Sequence, residues 1–436
     1  MRLLDQVRAL EFPASLPESL LVVEQAFDAP RVDDVVVAAR AALEKGGVLD
    51  RIAPGASVAV GVGSRGIANI AAIAATVVAQ LRGTGAEPFI FPAMGSHGGA
   101  TAAGQRAVLA ELGVTPERVG AEVRATMEAV EIGQVPGGPP LFQDAAAAEA
   151  DHTLLIARVK PHTDFRAEIE SGLAKMAVIG MGKRRGAELM HVRGAAAFKR
   201  FLAPAARVYA AETNLLGGLA ILENAYDETA AIEWLPAAEI GGPREATLLE
   251  RAKGLMSSLP FPAIDVLVVR RLGKNISGTG MDTNILGRLN IPREPESFGG
   301  PDLGVIALLD LTEETHGNAC GVGLANVTTA RVAEKIDWVA TYTNVVTSGI
   351  FSMYRGSLPI TMAADRQALQ VALRGCGQPY EEARWVFIED TLHLSRMWAS
   401  ANLAHVVEEG TRLTLAGEVP LAFTPQGVMS SPWQMR

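Results

Sequence analysis

Hydrophobic positions along the chain gather into short β-branched runs that alternate with longer Ala- and Leu-rich stretches. From Ser57 the alternation is regular. SVAVGVGS (57–64) predicts a strand ending in glycine, and IANIAAIAATVVAQLRGTG a helix stopped by glycines. EPFIFPAM predicts a second strand, GATAAGQRAVLAELG a second helix, and HTLLIARV (152–159) a further strand. Strand–helix–strand alternation with short glycine-bearing turns is the pattern of a parallel sheet covered on both faces. Ahead of Ser57 the pattern predicts an edge element, then the helix VDDVVVAARAALEKGG, which Gly46 and Gly47 end.

The rhythm restarts after Pro260. AIDVLVVRRL and DLGVIALLDL predict strands, TTARVAEKIDWVATYTNVV one long helix, DRQALQVALRGCG a helix and ARWVFIED a strand. TRLTLAGEVPLAFTPQG has the look of a hairpin. A segment rich in Gly, Asn and Pro fills 273–301, and a loop of that length is usually functional or disordered. The expected fold class is therefore α/β: two α/β domains with mainly parallel sheets and an active site in the cleft between them. The expected boundaries are an amino-terminal, cofactor-binding domain over 1–260, a carboxyl-terminal domain over 261–410, and a tail hairpin over 411–436 free to return to the first domain.

Composition narrows the class. At 436 residues the chain exceeds one ordinary core, and 49 % hydrophobic against 20 % charged residues is a globular balance. A net charge of −9 argues against coating nucleic acid or an anionic membrane through the overall field. The two cysteines, Cys320 and Cys376, exclude a disulfide framework and any thiolate cluster. The amino-terminal stretch lacks the apolar core of a signal peptide, and no run of about 18 apolar residues occurs. The expectation is a soluble, cytoplasmic protein.

Three turns that follow predicted strands should share one rim, at the carboxyl ends of a parallel sheet, where ligands bind. The first, GVGSRG (61–66), satisfies G-x-G-x-x-G between a strand and a helix. The next strand ends without an acid for a ribose hydroxyl. Three readings stay open there: a dinucleotide turn, an anion site with Arg65 as a bidentate donor, or a plain glycine-rich turn. The second turn, MGSHGGAT, carries His97 between residues that let a substrate approach the ring.

The third stretch, Val159–His191, holds His162, Lys175 and His191. Of eight lysines in the chain, four (Lys160, Lys175, Lys183, Lys199) fall within the 40 residues 160–199. Lysine, unlike arginine, can lose its proton and form covalent bonds. Lys175 sits in SGLAKMAVIGMG, an apolar setting that would desolvate an amine. Lys183-Arg184-Arg185 reads as a solvated or phosphate-facing cluster. Each histidine also has a purely structural reading, preferred for His152, His393 and His405. A His316–Cys320 nucleophile pair is conceivable, but its spacing specifies nothing. No GKS/T phosphate loop, H-E-x-x-H, C-x-x-C or G-x-S-x-G occurs.

The combination GSHGGAT, KPH and ESGLAKM, with His191 sixteen residues beyond Lys175, resembles the nickel-dependent lactate racemase family and, more broadly, the 2-hydroxyacid racemases and epimerases. The resemblance implies a nickel-pincer nucleotide, a pyridinium-3-thioamide-5-thiocarboxylate mononucleotide, bound covalently to Lys175. Ser171 and Gly172 complete the S-G-x-x-K tether motif. It further implies His191 as the protein's nickel ligand, His97 and His162 as the acid–base pair, and Arg65 as a contact to cofactor and substrate carboxylate. Lys274 would be a second carboxylate contact. Two departures point away from lactate itself: Val62-Gly63-Ser64-Arg65 stands where the family has D-x-T-R, and His162 lies farther ahead of Lys175.

The chemistry explains the residue types. Inverting a 2-hydroxyacid by removing hydride avoids a dianionic carbanion, and an electron-poor ring can take the hydride up. The hydroxyl proton leaves with it, so inversion asks for one imidazole on each face of the substrate. The expected activity is racemisation or epimerisation, with a small 2-hydroxyacid and cofactor-maturation proteins as partners. Two alternatives remain: an NAD(P)-dependent oxidoreductase using GVGSRG, and a non-catalytic anion- or nucleotide-binding homologue.

Overall fold

The structure is a computed structural model that describes residues 6, 7, 9–64, 66–296 and 298–433. It divides into two units, one of residues 28–256 and one of residues up to 27 together with 257 onward. Both are α/β units with mainly parallel sheets, as the alternating pattern predicts. Among the described residues, no helix is long and apolar enough to cross a membrane.

The first strand of the chain, β1 (Ser19–Gln25), belongs to the second unit and is described with it. Within 28–256, α1 (Val35–Lys45) starts at Asp34, whose carboxylate accepts the N–H groups of Val36 and Val37. Then come β2 (Ser57–Val62), α2 (Ile70–Gly83), β3 (Glu87–Pro92) and α3 (Ala102–Glu111). A hairpin of β4 (Ala129–Gln134) and β5 (Pro140–Asp144) precedes β6 (His152–Arg158). After it come a π-helical segment over Met176–Met181, α4 (Lys183–His191) and α5 (Gly194–Glu212). β7 (Leu215–Glu223), β8 (Thr229–Pro236) and α6 (Pro243–Leu255) complete the unit.

The sheet runs β3-β2-β6-β7-β8. Its first four strands are parallel and β8 is antiparallel. β2, β6 and β7 are buried almost throughout, because helices cover both faces. On one face Val58, Val60, Ile156, Leu219 and Ile221 pack with Ala39, Leu43, Ile73, Val77 and Leu81 from α1 and α2. The chain leaves β2 toward β3 and later returns to β2's other side as β6, so the strand order reverses there. In open α/β sheets a reversal of this kind marks the ligand crevice. The turns after β2, β3 and β6 all emerge at that end.

In the second unit, β9 (Ala263–Leu272), β10 (Asp302–Leu311), β11 (Val327–Thr329) and β12 (Ile360–Met362) are parallel, and β13 (Trp385–Ile388) runs parallel to β9 on its other side. β14 (Arg396–Ala399), β1 and β15 (Leu413–Pro420) extend this sheet antiparallel. Two expectations are corrected here. The amino-terminal strand is not an edge and does not belong with residues 28–256: it lies between β14 and β15, with Leu20 and Val22 in the second unit's core. The tail begins as a strand, β15, that pairs with β1 from Ser19↔Pro420 to Gln25↔Leu413 and so joins the second unit rather than residues 28–256; an antiparallel bridge, Phe423↔Met429, follows it.

The long helix predicted after β11 is two, α7 (Ala330–Lys335) and α8 (Trp338–Ser348). Ile336 is extended, and Asp337 turns its carboxylate onto Ala340 N–H to cap the second helix. The segment 273–301 is built rather than loose. It carries a short helix, Thr283–Leu286, capped by Asp282, and Arg288 donates to the carbonyls of Leu303, Gly304 and Leu324.

Candidate functional site

The three rim turns of residues 28–256 bring together most of the residues singled out by sequence. After β2, Ser64 places its hydroxyl against Nδ1 of His97, which stands in the turn after β3. The His97 turn packs on the segment that follows Lys175: Gly95 N–H donates to Gly180 O at 3.1 Å. The β2 turn meets that segment too, since a Cβ at Gly63 would lie 2.8 Å from Met176 Cε. Arg65 lies outside the described residues.

His162 enters from the loop after β6. Its Nδ1 accepts Asp164 N–H at 3.1 Å and lies 3.7 Å from the Asp164 carboxylate. Nε2 meets Nζ of Lys175 at 2.5 Å. The His162 ring stacks on Phe165 with centroids 4.5 Å apart, and both rings lean on Phe198 of α5.

His191 also meets Phe198, edge-on at 5.1 Å. Its Nδ1 donates to Ala187 O at 2.6 Å, which fixes the tautomer and leaves Nε2 as the unprotonated nitrogen. Burial holds its proton affinity below that of an ordinary histidine, while the Ala187 carbonyl opposes the shift. A neutral imidazole with a bare Nε2 is what a metal ligand requires. Among the described residues no group of three or more His, Cys, Asp or Glu side chains is placed to hold a metal.

Three charged side chains with no exposed surface hold these segments, and sequence analysis names none of them as such. Glu170 accepts the backbone N–H of His162 at 2.8 Å and meets Lys253 Nζ at 3.2 Å. Glu245 accepts the N–H of Ala174 at 3.0 Å and of Gly241 at 2.7 Å, gripping the turn that presents Lys175. Lys183 donates to Pro92 O and Gln105 Oε1 and is ion-paired with the Asp144 carboxylate. The reading of Lys183 as part of a solvated cluster is thus corrected. Its neighbours are exposed, Arg184 on Glu188 and Arg185 over the Phe142 ring, but Lys183 turns inward because its φ of 53° breaks the helical path.

Gly172 has two reasons to be glycine: φ is 104°, and a Cβ would lie 2.6 Å from Glu245 Oε1. Ser171, beside it, is half-buried. Gly66, by contrast, has open space where a side chain would go. The third glycine of a dinucleotide turn serves close helix–strand packing, and that packing is not made here.

Lys274 belongs to the other unit, where Nζ donates to the carbonyls of Gly278 and Cys320. There His316 is exposed and Cys320 buried. A cavity of about 640 Å³ in the same unit, lined by Arg288, Asn290 and Glu296 among others, includes none of His97, His162, Lys175, His191 and Lys274. The missed residue with a legible signal is Ser64, which directly precedes Arg65 in the first rim turn.

No protein-family model matches the sequence, and no curated protein matches it. Solved structures do match. One is the lactate racemase apoprotein from Thermoanaerobacterium thermosaccharolyticum, 12 % identical, with a TM-score of 0.51 over 86 % of this chain and 98 % of that one. Another is a protein from Thermotoga maritima, 11 % identical, with a TM-score of 0.45 over 64 % of this chain and 72 % of that one. At the first of these levels the likeness is one of architecture: this chain has a lactate racemase-like α/β fold.

Proposed function

We propose that this protein is an isomerase, a racemase or epimerase of a 2-hydroxyacid, working with a nickel-pincer nucleotide tethered to Lys175. The observation that carries the proposal is the meeting of the Lys175 amine with the His162 imidazole, with His191 presenting a neutral Nε2 beside Phe198. The similarity of fold to lactate racemase supports the same reading.

The residues fit such a group. Lys175 is half-buried, in contact with His162, and held by a backbone that Glu245 grips. His191 supplies a single imidazole nitrogen, the donor expected where the other metal ligands come from the cofactor itself. Held by Lys175 and His191, such a group would supply a reversible hydride acceptor beside the substrate carbon.

The protein's own side chains then have distinct tasks. A Lys175 nitrogen engaged in a covalent tether would no longer occupy His162 Nε2, leaving that nitrogen to exchange a proton with the substrate hydroxyl. His97, with Nδ1 engaged by Ser64, offers Nε2 for the same exchange from the neighbouring turn. Phe165 stacks on His162, Phe198 lies tilted beside it at 6.2 Å, and together they restrain its ring. Arg65 would hold the substrate carboxylate.

Co-expression with cofactor-making proteins, followed by intact mass and nickel analysis, tests the proposal. The expected result is an adduct on the wild type, absent from Lys175→Ala, with nickel in proportion. Wild-type protein without adduct and without nickel contradicts it.

A further inference from the structure

The turn that carries His97 has little conformational preference of its own. Gly95, Gly98 and Gly99 all have positive φ, near 60°, where glycine is at ease and the chain is otherwise free to move. What grips its carbonyls therefore decides where the imidazole stands. Gln105, fully buried on α3, donates from Nε2 to Gly95 O at 2.8 Å and to His97 O at 3.3 Å. Its Oε1 in turn accepts from Lys183 Nζ at 2.7 Å.

Lys183 closes the arrangement. Its ammonium also donates to Pro92 O at 2.9 Å, at the end of β3, and meets Asp144 at 3.1 Å, at the end of β5. One buried amine thus binds three different elements, through two hydrogen bonds and one ion pair. The same residue opens α4, whose last residue is His191. Replacing a buried ion pair as a whole by apolar side chains of similar volume is often neutral or stabilising, so the Lys183–Asp144 pair calls for another reason.

We propose that Lys183, acting through Gln105, is a positioning residue that fixes the His97 turn against the helix carrying His191. The assignment rests on the reading of His97 as an acid–base residue only for its catalytic consequence; the positioning itself is a property of the folded chain.

Gln105→Glu separates the two. It keeps the volume and the acceptor for Lys183 but has no N–H for Gly95 O or His97 O. Lys183→Met removes all three contacts and can cost the fold, so Gln105→Glu carries the test. Carbethoxylation of His97 by diethyl pyrocarbonate is followed by peptide mass spectrometry in the cofactor-free protein, with exposed His393 as internal reference and the thermal midpoint recorded alongside. The expected result is at least a threefold faster reaction at His97, with His393 unchanged. In the cofactor-loaded protein, kcat falls at least tenfold while KM stays within twofold. An unchanged His97 rate in Gln105→Glu overturns the proposal. A shifted His97 rate in a protein whose wild type inverts no 2-hydroxyacid leaves the positioning intact and refutes the isomerase reading instead.

Discussion

Glu245 Oε1 accepts the backbone N–H of Ala174, the residue before Lys175, at 3.0 Å, while its Oε2 accepts Gly241 N–H at 2.7 Å. One buried carboxylate thus ties the turn presenting the candidate tether to the segment leading into α6. Its desolvation pushes its proton affinity up, and the backbone N–H groups pull against that shift. Glu245→Leu leaves those N–H groups buried without an acceptor, at about 1–3 kcal/mol each. The expected outcome is a urea midpoint lowered accordingly and slower labelling of Lys175 by an amine-reactive reagent than in the wild type.

Gly172→Ala probes the same joint from the other side. Its φ of 104° strains any L side chain, and the added Cβ would press on Glu245 Oε1 at 2.6 Å. The loss should exceed the roughly 1 kcal/mol that separates glycine from alanine in ordinary backbone. Equilibrium denaturation checks this, and a variant as stable as the wild type would count against the geometry.

The tautomer of His191 can be read directly. Imidazole ¹⁵N shifts in the cofactor-free protein should show a protonated Nδ1 and a bare Nε2. Because burial disfavours the charged ring, protonation on acidification should come below the ordinary histidine value of 6.5. Over the neutral range the ring therefore stays in its ligand-competent form. A ring that charges at or above 6.5 would contradict this placement.

Much of this was legible in the sequence, for identifiable reasons. The rim of residues 28–256 follows from glycine-ended β-branched runs, and these place Ser64, His97 and His162 at one end of a parallel sheet. What pattern could not give was long-range pairing. β1 and β15 lie almost 400 residues apart in sequence, and nothing in SLLVVEQ says which sheet it joins. Nor could pattern reveal buried charge. Lys183 sits in a Lys-Arg-Arg run that reads as surface, and only the 53° φ at this residue turns it inward. Glu170 and Glu245 look like any helix or loop acids until the backbone N–H groups they serve are known.

His162→Gln distinguishes proton transfer from cofactor capture. Glutamine keeps a polar side chain of similar reach but cannot exchange a proton near neutral pH. Loss of an acid–base group costs about 10²–10⁴ in rate. The adduct mass on Lys175 should persist while turnover falls by that factor; a variant that loses the adduct would assign His162 to tethering instead.

The central claim is that His97, His162, Lys175 and His191 serve one inversion reaction, and optical rotation tests it most directly. Cofactor-loaded protein is incubated with a panel of enantiopure 2-hydroxyacids, including sugar acids and dicarboxylic acids. The account predicts that at least one solution drifts to a racemic or epimeric end point, and that His97→Gln and His162→Gln each slow the drift by about 10²–10⁴. Loaded, adduct-bearing protein that leaves the rotation of every member of the panel unchanged would contradict it.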